Sequence, residues 1–202
     1  MTVAYGVKGG VYVNMTNRCP CSCMFCLRNN AEGVYGSGSL WLEREPTVEE
    51  TIEALKPWLE KGVDEVVFCG YGEPTERLDD MLAVASWVKA ANPSMRTRVN
   101  TNGLSDLING RPTAAEFVGK IDVLSISLNT DDAREYLEEC HPKFGIDSYE
   151  AMKKFASDAA KAGIDVVMTV VGEPVTSRAK QERCREIAES LGARLRVRPY
   201  EG

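Results

Sequence analysis

Short apolar runs of strand character alternate with longer stretches of helical spacing along the chain. Six runs have strand character: 11–16, 65–69, 96–100, 122–128, 164–171 and Arg194–Arg198. Between them, apolar residues recur three and four positions apart, the spacing of a helix with one buried face. Ile52, Leu55, Trp58 and Leu59 form one such face. It opens on Thr47-Val-Glu-Glu50, a capping box, and Gly62 supplies the stop. Pro57 falls inside this helix and is expected to bend or shorten it. Leu78, Met81, Leu82, Ala85 and Val88 line a second helix that ends before Asn92-Pro93. A weak helix is predicted over 113–118 and a mixed helix and loop over 131–145. Clear helices follow over 148–162, with Tyr149, Met152, Phe155 and Ala159 inward, and over 176–191.

Strands alternating with helices predict a parallel α/β sheet. Polar or glycine-rich residues stand at the C-terminal end of each strand, the rim where β/α barrels build their sites. Six units suit an incomplete, open (β/α)6 TIM-type barrel better than a closed eightfold one. The whole chain, 1–202, is expected to be a single domain. The segment 27–46, with Gly33, Gly36, Gly38, Tyr35 and Trp41, is long for a connector. Two readings stand for it: a loose surface loop, or a lid or wall over a site.

Composition narrows the class. With 44% apolar and 27% charged residues the chain has ordinary globular composition, and its net charge of −6 argues against broad phosphate-driven binding of nucleic acid. No apolar run approaches the roughly 20 residues that span a bilayer. The N-terminus lacks a basic flank before an apolar core, so a cytoplasmic location without membrane attachment is the expectation.

The seven cysteines change the picture most. Four fall in Cys19-Pro-Cys-Ser-Cys-Met-Phe-Cys26, directly after the first strand. They are too crowded to bridge one another without strain, and in a cytosolic chain such clustering points to metal or redox chemistry. Cys19, Cys23 and Cys26 make a C-x3-C-x2-C pattern. Three thiolates on a [4Fe–4S] cubane leave the fourth iron open to a ligand, whereas four would close the cluster. The competing reading is a zinc knot with Cys21 as fourth sulfur, awkward because structural zinc draws on separated pairs. Cys21 is otherwise expected to face solvent or pack in the loop. Cys69, Cys140 and Cys184 are expected to be small buried hydrophobes, and His141 to be structural.

The cysteine pattern, with Phe25 before its last member, resembles the signature of radical S-adenosylmethionine (radical SAM) enzymes. Gly70-Tyr71-Gly72-Glu73-Pro74 is similar to that family's G-G-E-P motif. Thr101-Asn102-Gly103 is similar to its T-N-G, and Ser125-Ile-Ser127-Leu128 to the stretch on its fourth strand. Tyr12 to Cys19, Phe25 to Arg28 and Arg196 to Tyr200 further resemble short proteins encoded beside TatD-type nucleases, which suggests a functional link to such a nuclease.

The resemblance implies a [4Fe–4S] cluster on Cys19, Cys23 and Cys26, with SAM chelated at the open iron. Reductive cleavage of SAM would give a 5′-deoxyadenosyl radical for hydrogen abstraction, and a one-electron donor such as flavodoxin or ferredoxin is implied. Gly70 and Gly72 would let the backbone approach the methionine moiety, with Tyr71 in the same motif and Glu73 as an acceptor for its ammonium group. Asn100, Asn102, Ser127 and Asn129 are polar at strand ends, placed for ribose hydroxyls or for capping the next helix. Phe25 and Val170 are placed for the adenine, or for simple packing.

Arg194, Arg196 and Arg198 alternate along the last strand and therefore share a face. Facing inward they would suit an anionic substrate, with Arg28; facing outward they are a solvated edge. Arg198, before Pro199, is the one expected inside. The substrate is thus a small molecule or a peptide. Activation of a glycyl-radical enzyme, or chemistry like that of 7-carboxy-7-deazaguanine synthase, are the enzymatic alternatives. A zinc-stabilised binding module is the non-enzymatic one.

Overall fold

The computed structural model describes residues 1–29 and 31–200. They divide into two compact units. The first takes in Met1–Cys19, Phe25–Asn100 and Gly119–Asp122; the second takes in Pro20–Met24, Thr101–Val118 and the chain from Val123 onward.

The first unit opens with a strand that the apolar pattern did not reveal. β1 (Ala4–Val7) pairs antiparallel with β2 (Gly10–Val13), Tyr5 opposite Tyr12, across a two-residue turn at Lys8 and Gly9. Both turn residues have positive φ, 46° and 89°, as a tight hairpin turn requires. Lys8 is unusual there, and so the turn was not legible. β2 ends at Val13, short of the expected Thr16, because the chain leaves the ladder to enter the cysteine loop. β3 (Glu65–Phe68) and β4 (Arg96–Thr101) add in parallel, with Val13 beside Phe68 and Phe68 beside Val99.

α1 (Val48–Glu60) crosses between these strands and runs unshortened through Pro57. Pro57 is exposed, so the carbonyl it strands can be hydrated. α2 (Leu78–Ala91) buries Leu78, Met81, Leu82, Ala85 and Val88, as their spacing predicted. Such side chains contribute roughly 1.5–3 kcal/mol each on full burial.

The α1 capping box is complete: Thr47 Oγ1 accepts from Glu50 N at 3.2 Å, and Glu50 Oε2 accepts from Thr47 N at 2.9 Å. Arg44 also donates to Glu50, at 2.7 Å. These two donors, Arg44 first, hold the Glu50 carboxyl at about 2 against its ordinary 4.5. A carboxylate lowered on folding stabilises the fold above pH 4.5, and that contribution is lost as pH falls toward about 2. Urea midpoints at about pH 5 and about pH 3 are therefore expected to differ less in Glu50→Gln than in the parent chain. Equal acid sensitivity would remove Glu50 from this role.

In the second unit, α3 (Ser105–Asn109) is a short helix that the sequence did not announce, and a 3-10 turn at Ala114–Phe117 replaces the helix expected over 113–118. β5 (Val123–Ser127), α4 (Ala133–Cys140), α5 (Asp147–Lys161), β6 (Asp165–Val171), α6 (Arg178–Ser190) and β7 (Arg194–Arg198) follow. β5, β6 and β7 are parallel neighbours in chain order, with Ser127, Thr169 and Arg196 in one row. Tyr149, Met152, Phe155 and Ala159 of α5 are buried, as expected. A side chain on Gly103 would meet Met152 at 2.7 Å and Ile126 at 2.8 Å. The face of β5 that carries Ile126 is thus turned toward α5. Met168, which pairs with Ile126, lies on that face, and so does Val170 two residues on. Among the described residues no helix is long and apolar enough to cross a membrane.

Candidate cofactor site

In the first unit the residues before Cys19 are tightly pinned. Arg18 N donates to Thr16 Oγ1 at 3.0 Å, and Glu73 N to the Arg18 carbonyl at 2.8 Å. Glu45 accepts from Thr16 Oγ1 at 2.6 Å and from Arg18 Nε at 2.7 Å. Partial burial opposes the charge on Glu45, yet these donors hold its carboxyl below the ordinary range.

The glycines of Gly70-Tyr-Gly-Glu-Pro74 make room for the chain itself. A Cβ on Gly70 would overlap Asn14 Oδ1 and stand 2.6 Å from its Cγ; one on Gly72 would overlap the Thr16 carbonyl and stand 2.6 Å from that of Arg18. Both are bare because the limb leading into the cysteine loop packs directly on them. Glu73 is buried, and its Oε1 caps the 3-10 turn Pro74–Arg77, accepting from Thr75 N at 3.1 Å and Thr75 Oγ1 at 2.8 Å. That oxygen already has its partners.

Tyr71 speaks against the loose-loop reading of 27–46. Its ring meets Trp41 edge-on at 5.2 Å, and its hydroxyl donates to the Ala31 carbonyl. Leu40 and Leu42 are buried, Asn14 Nδ2 donates to the Leu40 carbonyl at 2.7 Å, and Asn17 exchanges two hydrogen bonds with Leu42 at 2.8 and 3.0 Å. Around Ala31 and Leu40 to Leu42 the segment is thus docked on its unit and is not a loose loop. Burial, and secondarily the neighbouring Cys26, push the Tyr71 phenol above its ordinary range. Phe25 is 40% exposed and therefore not a packing wedge, while Arg28 is half-buried on the 3-10 turn Leu27–Asn29.

Sequence reasoning missed Arg98. It is buried in the middle of β4, donating to Glu65 Oε1 at 2.6 Å, to the Tyr12 hydroxyl at 3.1 Å and to Asn100 Oδ1 at 3.4 Å. Its one visible sign was a charge inside a predicted strand. Asn100 is half-buried at the end of the same strand.

The second unit holds the middle of the cysteine loop. Ser22 N donates to the Cys140 carbonyl at 3.0 Å, Met24 N to that of Glu139 at 2.9 Å, and Lys143 N to that of Pro20 at 2.9 Å. Cys21 is buried, not solvent-facing, with Asn102 Nδ2 at 3.8 Å from its sulfur; Asn102 Oδ1 accepts from Leu104 N at 2.9 Å. Asn129 donates to Cys140 Sγ at 3.3 Å. Cys140 in turn is hydrogen-bonded to Cys23, and that bond, followed by burial, pushes its thiol well above the ordinary range. Ser127 is half-buried in the row with Thr169 and Arg196, on the opposite face from Val170, which is core.

Arg194 is exposed and pairs with Asp165 at 2.8 Å, whereas Arg198 is half-buried and its Nε is buried with no hydrogen-bond partner. His141 has positive φ, 44°, and closes α4, a structural role as expected. Cys140 and Cys184 are buried as expected, but Cys69 is half-exposed at the end of β3.

The donor set fits a cluster. Cys19, Cys23 and Cys26 stand in no disulfide and have partly exposed side chains, and Cys21 is the buried member of the four. Among the described residues no three His, Cys, Asp or Glu side chains gather around a single metal ion. A cubane spreads its thiolates over separate irons. The hollow lined by Ser157, Ala160, Lys161, Ser190, Leu191 and Gly192 offers no thiol, carboxylate or imidazole.

A parallel β/α chain whose first parallel strand runs into a loop of unbridged cysteines has the fold and the donors of a cluster-binding α/β protein. The chain belongs to the Radical SAM superfamily, whose family model matches residues 13–188. That family uses a [4Fe–4S] cluster and SAM.

Solved structures share the fold, an α/β partial barrel. Streptococcus suis SuiB bound to precursor peptide SuiA is similar with a TM-score of 0.70 at 17% identity, over 94% of this chain and 39% of that one. A radical SAM methyltransferase from Sphaerobacter thermophilus is similar at 0.65 and 17%, over 96% and 57%. Methylornithine synthase (PylB) is similar at 0.65 and 16%, over 95% and 53%. The chain thus spans about two fifths of SuiB and just over half of the other two. No curated protein matches it.

Proposed function

We propose that this chain is a radical SAM enzyme that holds its [4Fe–4S] cluster on Cys19, Cys23 and Cys26 and acts on an anionic substrate. A cluster bound there would supply one electron for the reductive cleavage of SAM, the chemistry that would start hydrogen abstraction from the substrate. The observation that carries this reading is the partition of the loop: three partly exposed cysteines at C-x3-C-x2-C spacing, and the fourth buried. A zinc knot on four sulfurs would have to turn Cys21 out of its packing.

The chain's own residues hold and orient. Thr16, Arg18 and Glu45 fix the approach to Cys19, while Tyr71 fixes the wall that follows Cys26. Ser127 and Asn100, half-buried at strand ends, keep polar groups available to a ribose. Asn129 and Asn102 have local partners and position the loop. The unpartnered Nε of Arg198 is a donor suited to a carboxylate or phosphate. A peptide carrying such a group is the second reading, favoured by exposed Phe25, Leu27, Tyr35 and Trp41.

Anaerobic reconstitution with iron and sulfide, followed by dithionite and SAM, tests the reading. Expected are about four irons per chain and 5′-deoxyadenosine and methionine in equal amounts. Bound zinc with no SAM cleavage would overturn it.

A further inference from the structure

Cys140 stands in a place that its reading as a small buried hydrophobe does not account for. Hydrogen bonds from Ser22 N and Met24 N to the last carbonyls of α4 flank Cys23 on both sides and lay it against the end of that helix. Cys140 is that end, and it is only 1% exposed, so no water competes for its thiol. Asn129 fills an acceptor position on the Cys140 sulfur at 3.3 Å, held there with φ 65°, a left-handed conformation that a short polar side chain tolerates. A thiol has one proton to give, and its hydrogen-bond partner here is Cys23.

We infer that Cys140 is a positioning residue that donates its S–H to the Cys23 sulfur and thereby raises the reduction potential of the cluster that Cys23 holds. The inference rests on the cluster reading above. A hydrogen bond to a ligating sulfur draws off electron density and favours the reduced, more negative cluster. Asn129 is the next link, since it fixes which way the Cys140 sulfur presents its proton.

The test is a redox titration of the reconstituted protein, followed by electron paramagnetic resonance without SAM or substrate. Cys140→Val removes the donor and keeps the site apolar. Its cluster is expected to be about three- to tenfold harder to reduce, about 28 to 59 mV more negative at 59 mV per decade. Cys140→Ser restores a donor and is expected to recover most of the shift; Cys140→Ala serves if the valine variant does not fold. A potential that stays unchanged or rises in the donor-less variant, with iron content intact, would leave Cys140 a packing residue and overturn the inference. Parent protein that takes up no iron would instead sink the cluster reading, and the inference with it.

Discussion

Cys19→Ala, Cys23→Ala and Cys26→Ala are each expected to drop iron from about four per chain to near zero. Cys21→Ala is expected to keep the iron and to lower stability by about 1 kcal/mol. The asymmetry follows from burial. Cys19, Cys23 and Cys26 are partly exposed, whereas Cys21 is packed at 3% exposure beside Asn102. A lost ligand leaves an iron without its thiolate, but a lost buried sulfur leaves only a small void. Iron and sulfide assays on the four variants, reconstituted side by side, decide it. Iron loss in Cys21→Ala equal to that in the other three would end the three-ligand assignment.

The second large effect is expected at Gly72. An alanine there would overlap the Thr16 carbonyl and press the Arg18 carbonyl at 2.6 Å. Both obstacles are backbone. Neither can swing aside, because Arg18 N bonds Thr16 Oγ1 at 3.0 Å and Glu73 N bonds the Arg18 carbonyl at 2.8 Å. Overpacking that a side chain can relieve costs about 1–3 kcal/mol, so Gly72→Ala is expected to cost about 3 kcal/mol or more in urea unfolding. A loss below about 1 kcal/mol would show that the limb yields, and the close-packing account of this glycine would be wrong.

Gly72 illustrates where the sequence could be read and where it could not. The glycine-rich turn at the end of β3 was visible, and its physical demand for a bare Cα was correct. What lies on its Cβ side was not legible: the chain's own Thr16 and Arg18. Glu73 follows the same pattern, a carboxylate in the right motif whose Oε1 is taken by Thr75. Val170 was placed on the right strand, for the adenine or for packing, and only the structure puts it on the helix-facing side. The β1–β2 hairpin escaped notice because its turn uses Lys8 at positive φ in place of the usual asparagine or aspartate.

The sequence by itself determined what depends on neighbours along the chain. Strands and helices follow from period, the α1 start from Thr47 and Glu50, and the thiol loop from three cysteines within eight residues. Tertiary structure alone decided which partner each polar group meets. Arg98 meets Glu65 and Tyr12, Tyr71 meets Ala31, and Asn129 meets Cys140. These pairings arise where separate elements come together, and no local spacing encodes that. Cys140 shows the difference most plainly: along the chain it is one apolar position at the end of a short helix, and in the fold it lies against a thiol of the cysteine loop.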